Sequence, residues 1–211
     1  MLDLNHLFRK FFKAAIQAQS RFKISGVGFC FIVALLCFFP AWWATADEEE
    51  YVERVFLTKK QALKLAFPGI RKFKRNKVWL TDSQKKAVVE TYGDKFEKSR
   101  LTFFEALRED GTMAGVMTIG NEIGRSYLIT FMVVINADGT VKDVEIMVYR
   151  EPHGWEVRFE TFMSQFFGRD ASDPFNDINN ITGATLSVRS MTRGVKKAVS
   201  LYKVLYLDKV K

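Results

Sequence analysis

The chain has 211 residues, is 48% hydrophobic and carries a formal net charge of +8, enough to bury one sizeable core and carry an appendage. The charge does not point to nucleic acid: residues 1–46 hold Arg9, Lys10, Lys13, Arg21 and Lys23 against Asp3 alone, the remaining excess is mild over a long acid-containing stretch, and no zinc-finger or RNA-binding signature accompanies it. Cysteine occurs only at Cys30 and Cys37 and histidine only at His6 and His153, which excludes a multi-histidine metal site and, beyond residue 37, disulfides, thiolate nucleophiles and iron–sulfur ligation; redox chemistry there falls to an organic cofactor.

In chain order, Phe8, Phe11, Phe12 and Ala15 recur at helical spacing with Arg9, Lys10 and Lys13 mostly on the other side. This fits a helix lying on an anionic inner leaflet, or a plain basic flank that sets topology. From Ile24 to Ala46 no residue is charged, and that length crosses a hydrocarbon core of about 30 Å as a helix. Basic residues precede it and Asp47, Glu48, Glu49 and Glu50 follow, so the positive-inside rule keeps the N-terminus cytoplasmic and exports the rest. Trp42 and Trp43 fall where an interfacial aromatic belt would be. Ala44-Thr45-Ala46 also reads as a signal cleavage site. Retained, the segment predicts a single pass of a bacterial inner membrane with the C-terminal part in the periplasm; cleaved after Ala46, a soluble periplasmic protein. The organisation expected is a basic lead (1–23), the anchor or signal segment (24–46), a linker and helical lead-in (47–95) and a folded domain (96–207).

Within the exported part, a threonine start signal and Ala62, Leu63, Ala66 and Phe67 predict a short helix over 58–67, ended by Pro68-Gly69. The tract 71–77, "RKFKRNK", reads as a solvated edge or as a surface for lipid headgroups. Residues 81–92 predict a second helix with Asp82 or Ser83 as its N-cap. Strands are expected over 101–107, 112–120, 127–135 and 140–149, with a turn at 136–139. A helix is expected over 155–167 with Phe159, Phe162, Met163 and Phe166 on its core face, then a polar loop (168–180) and a closing helix (186–207), irregular at its start. The order predicts an α+β fold, an antiparallel sheet flanked by helices, preceded by the one N-terminal transmembrane or signal helix.

The stretch 181–187, "ITGATLS", puts small hydroxyl-bearing residues before that closing helix. Gly183 and Ala184 permit close backbone approach, and a helix N-terminus favours a phosphate through its free N–H groups and dipole. Arg189 stands one turn beyond Thr185 and can add charge-assisted bonds to the same anion. An ordinary capped helix entry satisfies the same residues. Of the two threonines, Thr182 suits a turn-shaping or capping role. His153 and Trp155, in "REPHGW", are candidates to touch a ring or phosphate. No catalytic dyad is visible and none is assigned.

"ITGATLS" followed by "TRGVKKAV" (192–199) resembles the flavinylation signature of the FMN-binding domain family, which includes the G subunit of Rnf complexes, the C subunit of sodium-pumping NADH:quinone reductases and stand-alone exported proteins. "LKLAFPG", "NADGTV" and "YREPHGWEVRFETFMSQFFGR" resemble the stand-alone branch. The resemblance implies FMN joined to Thr185 by a phosphoester bond, with Thr182, Gly183 and Ala184 completing the motif. It further implies a flavin transferase that uses FAD as FMN donor, and membrane or cytochrome-type redox partners. It makes 96–207 an FMN-binding domain, and the chain an electron-transfer flavoprotein or subunit of a redox complex rather than a stand-alone enzyme. The family pattern is Asp-x-x-Ser/Thr-Gly-Ala-Thr; here Asn179 replaces the acid and Asp177 stands two places earlier. Where the pump subunits carry Glu-Thr-Pro-Gly-Leu-Gly, this chain has Glu151-Pro152-His153-Gly154-Trp155-Glu156, which implies a separate redox chain. The alternative is a non-redox exported binding module with an unmodified TGAT turn.

Overall fold

The apolar run at 128–136 becomes a strand buried on both faces, and the fold is laid out around it. The computed structural model describes residues 53–210; the basic lead, the charge-free segment 24–46 and the acidic run 47–50 lie outside the described residues. Six strands, β1 (Arg54–Val55), β2 (Lys72–Trp79), β3 (Arg100–Leu107), β4 (Met113–Ile123), β5 (Leu128–Asn136) and β6 (Val141–Tyr149), form one sheet in the order β1-β6-β5-β4-β3-β2. Every neighbouring pair is antiparallel, so the fold is α+β, as the element order implies. Among the described residues no helix is long and apolar enough to cross a membrane.

Successive side chains of a strand point to opposite faces. Met132 and Val134 of β5 therefore meet Phe104, Ala106, Met117 and Met147 on one face, covered by Ala62, Ala66 and Phe67 of α1 (Lys59–Ala66) and the residue after it. Phe131, Val133 and Ile135 join Phe103, Val116, Val144 and Ile146 on the other face, under Val88 and Tyr92 of α2 (Asp82–Tyr92) and the apolar stripe of α4 (Thr185–Tyr202). There Gly194 of α4 and Gly120 of β4 flank the Phe131 ring, and a Cβ at either would collide with it. Helix and sheet approach closely because both glycines lack one. Both cores are built from residues within Glu50–Lys211, which form one compact unit.

The helix entries show the local chemistry. Thr58 and Thr81 each close a capping box with the glutamine three residues on, Gln61 and Gln84. The N-cap of α2 is therefore Thr81, not Asp82 or Ser83: the Thr81 hydroxyl accepts from the Gln84 N–H at 3.2 Å. The tract 71–77 is the solvated edge expected of it: from Lys72 on it lies in β2, an edge strand whose cations face solvent. The continuous helix expected over 155–167 is corrected: it is broken. A 3₁₀ turn (Trp155–Arg158) is followed by Phe159 in extended conformation, then α3 (Glu160–Met163) and a second 3₁₀ turn (Ser164–Phe166). The break turns Phe159 outward, 48% exposed, while Phe162, Met163 and Phe166 stay buried. The closing helix spans the expected range from one residue earlier: it begins at Thr185 and widens after Tyr202 into a π turn (Lys203–Leu207). That turn holds Tyr206 stacked on Tyr202 at 4.9 Å, with its hydroxyl donating to Glu105 at 2.8 Å.

Candidate functional site

The chain enters α4 through a left-handed glycine. Gly183 has φ +83°, and a Cβ there would meet nothing within 4 Å. The position needs glycine for its backbone rather than for the close approach expected of it. Ala184, buried, turns its N–H onto the Ile181 carbonyl at 2.9 Å and is the N-cap residue. Thr185 is then the first helical residue, and its Oγ1 accepts a hydrogen bond from Asn180 Nδ2 at 3.0 Å. Asn180 is oriented in turn by its Oδ1, which accepts from the Ile181 N–H at 3.0 Å.

No side chain caps α4, in contrast to α1 and α2. Its first-turn amides stand as donors for an anion, with the helix dipole behind them. The cap expected of Thr182 is not made; its side chain is exposed. Arg189 is also exposed and has no acidic partner among the described residues, which leaves its guanidinium for such an anion.

The loop after β6 forms the second wall. Gly154 (φ +83°) lies against the motif so closely that a Cβ would stand 2.9 Å from Ser187 Oγ, 3.0 Å from Tyr149 Oη and 3.4 Å from Ala184 Cα. Tyr149 Oη donates to the His153 carbonyl at 2.7 Å and shares a 2.9 Å hydrogen bond with Ser187 Oγ. Burial pushes the Tyr149 phenol up to about 12, against the opposing pull of its bond with Ser187. It is therefore a neutral strut at physiological pH. His153 contributes its carbonyl; the imidazole is exposed and makes no hydrogen bond among the described residues. Trp155, 39% exposed, meets Phe159 edge to face at 5.2 Å, so a pair of aromatic side chains opens to solvent beside the motif.

Glu151 ties this wall to the β4–β5 turn. Its side chain is buried, at 2% exposure, and Oε1 accepts from the Ser126 and Tyr127 N–H groups, both at 2.8 Å. Gly124 makes room, since a Cβ there would stand 2.5 Å from that oxygen. Glu151 Oε2 has no hydrogen-bond partner among the described residues. On the other side of the motif, Arg169 grips Asp177 with two parallel bonds, at 2.7 and 3.0 Å, and that guanidinium holds the Asp177 carboxyl below its ordinary range. Asn179 donates its backbone N–H to Gln165 Oε1 at 2.7 Å. The nearest acid upstream of the motif is thus committed to holding the loop.

The structure sets Gly154 of the loop after β6 against Ala184 and Ser187 of the motif helix, and adds Asn180, Tyr149, Ser187 and Glu151 to the residues singled out in the sequence. Asn180 lay next to the motif in the sequence, but nothing marked it apart from its neighbour Asn179. An uncapped helix start, a hydroxyl, an unpaired cation and exposed aromatic surface suit a ligand that joins a phosphate to a planar ring.

One comparison with known families bears on that chemistry. The model of the FMN-binding domain family matches residues 124–200. Among solved structures the chain is similar to the crystal structure of Shewanella oneidensis NqrC, at 14% identity and a TM-score of 0.46, over 66% of this chain and 84% of that one. No curated protein matches significantly. The family match runs from Gly124, which makes room for Glu151, to the last turn of α4.

Proposed function

We propose that this protein is a membrane-tethered, exported flavoprotein that carries FMN on Thr185 and relays electrons between a membrane donor and another redox carrier. One observation carries the reading. The Thr185 hydroxyl, held by Asn180, opens an uncapped helix inside the segment that matches the FMN-binding family. The residues fit the group. The first-turn amides and Arg189 suit its phosphate, the open space around Gly183 leaves the approach to Thr185 clear, and Trp155 and Phe159 offer aromatic surface to the ring. Bound there, FMN supplies reversible transfer of one or two electrons. The chain's own part is to hold the phosphate, keep the ring at an accessible edge and set the polarity around it.

Attachment requires a flavin transferase with FAD as donor. The bond formed joins Thr185 Oγ1 to the phosphorus of the FMN half; the bond broken is the pyrophosphate link to AMP, and the threonine proton is lost. A covalent link retains the cofactor outside the cytoplasm, where a lost FMN is hard to replace. In-gel flavin fluorescence under denaturing conditions, with intact mass, tests the reading in cells coexpressing the transferase. Wild type is expected to fluoresce, and Thr185→Val, which keeps the side-chain shape but removes the oxygen, is expected to be dark and folded. Fluorescence persisting in Thr185→Val moves the attachment elsewhere.

The second reading, an unmodified binding module, rests on Asn179 in the place of the family's acid and on Asp177 being occupied by Arg169. A colourless wild-type chain from cells with a competent transferase establishes it.

A further inference from the structure

The charge of this protein is segregated. Between Arg54 and Thr81 there are nine lysines and arginines and no acid, while from Asp82 to the C-terminus the chain holds eighteen of each sign. The fold gathers much of that block on one surface. Arg75, Lys77 and Trp79 of β2 alternate onto the α1 face with Phe73, which packs on the α1 core. Their partners across the ladder are Phe104, Thr102 and Arg100. Lys59, at the start of α1, sits 4.5 Å over the Phe104 ring, and Arg100 sits 5.6 Å from the Trp79 ring. Trp79 itself is 68% exposed. Lys60 and Lys64 of α1 are exposed as well.

We propose that this face, formed by α1, β2 and the start of β3, docks on an anionic phospholipid surface. Protection of an open sheet edge explains lysines on β2. It does not explain three more lysines on α1, Arg100 on β3, or an outward tryptophan, which protection against association would remove. Cations around an exposed indole are the composition of a protein surface seated among lipid headgroups. A soluble redox partner is disfavoured by position: docked here, it would lie across the sheet from α4 and Thr185. The proposal extends the anchored reading above, in which the seven residues between Ala46 and Arg54 span at most about 25 Å and so keep this face within reach of the bilayer. Docked this way, the motif points away from the membrane.

The test uses the compact unit Glu50–Lys211 without flavin, so that failure of Thr185 to be modified leaves the result untouched. With Trp155→Phe, Trp79 is its sole tryptophan. Mixed phosphatidylcholine–phosphatidylglycerol vesicles are expected to shift its emission to the blue and shield it from acrylamide. Pure phosphatidylcholine and high salt are expected to abolish both effects. Each cation at an anionic surface is worth about fivefold in affinity, so the double substitution Arg75→Glu/Lys77→Glu is expected to weaken binding more than about twentyfold with the melting temperature unchanged. Equal response to neutral vesicles, undiminished binding of a folded double variant, or retention by a soluble polyanion such as duplex DNA that vesicles fail to displace would each overturn the proposal.

Discussion

Asn180 and Gly154 do their work by touching the motif rather than by belonging to it. The Asn180 amide pins Thr185 Oγ1 in one orientation while leaving the hydroxyl proton free to depart. A single hydrogen bond is worth about 0.5–1.5 kcal/mol, so Asn180→Ala is expected to slow covalent flavin incorporation by roughly two- to tenfold, with little change in melting temperature, since the site is exposed. A time course of intact mass with purified transferase and FAD measures this, and an unchanged rate removes Asn180 from the positioning role. Gly154→Ala is expected to act on stability instead. It places a Cβ against Ser187 and Tyr149 at a φ of +83°, a strain of about 1–3 kcal/mol, read by denaturant unfolding. In a Ser187→Ala background, where one of the two close contacts is gone, the cost is expected to shrink but not vanish, because the backbone strain remains. Thr185 and Gly183 were legible as a contiguous motif. Gly154 and Tyr149 were not, since Ser187 lies 38 positions from Tyr149 and no local periodicity encodes that distance.

Among the elements, the central strands were readable: β5 buries both faces and reads as a continuous apolar run, while β6 keeps a partial alternation of Val141, Val144, Ile146 and Val148. Strand β2 was not: at an edge, only Phe73 and Val78 need to pack, and the cations between them hid the pattern. The break at Phe159 was equally hidden, since Phe162, Met163 and Phe166 keep a helical spacing on either reading. The loop 168–180 is pinned by buried Phe175 and by carboxylates, and the carboxylates give it a pH signature. Asp170 is held below the ordinary aspartate range first by the Ser172 hydroxyl and then by the Ser172 N–H; Asp177 is held there by Arg169. Because these folded values are depressed, the stabilisation is fully present above the unfolded value of about 3.9 and is lost as pH falls through the lower folded values. Amide chemical shifts of Ser172 and of residues around Asp177 are therefore expected to stay constant down to about pH 4 and to titrate below it. Midpoints at or above 3.9 would contradict the bridging. Global stability is the wrong readout, because burial raises Asp143 and Glu145 in the opposite sense.

At the scale of the whole chain, the proposed membrane anchoring raises the question of which side the folded domain takes, and the charges pull in two directions. Over the twenty residues before Ile24 there are five lysines and arginines, and over the twenty after Ala46 there are four, Arg54, Lys59, Lys60 and Lys64. That margin is slight. The nearest flanks differ more: Arg21 and Lys23 lie within the last seven residues before the segment, whereas residues 47–53 contain no cation and five acids. Basic residues closest to a span weigh most on its orientation, acids weigh little, and a long folded domain is exported largely regardless of its own charge. The nearest flank therefore decides, and the domain is expected outside the cytoplasm, where the proposed docking face of α1 and β2 is expected to meet the outer leaflet of the same membrane. Fusions after Lys211 measure it: alkaline phosphatase, which is active only after export, is expected to be active, and a cytoplasmic fluorescent reporter at the same place dark. Replacing Arg21 and Lys23 with glutamine is expected to lower the exported fraction, because it leaves three cations against four. A bright cytoplasmic reporter with inactive phosphatase in the unaltered chain would reverse the orientation, and with it the need for a covalent tether on Thr185.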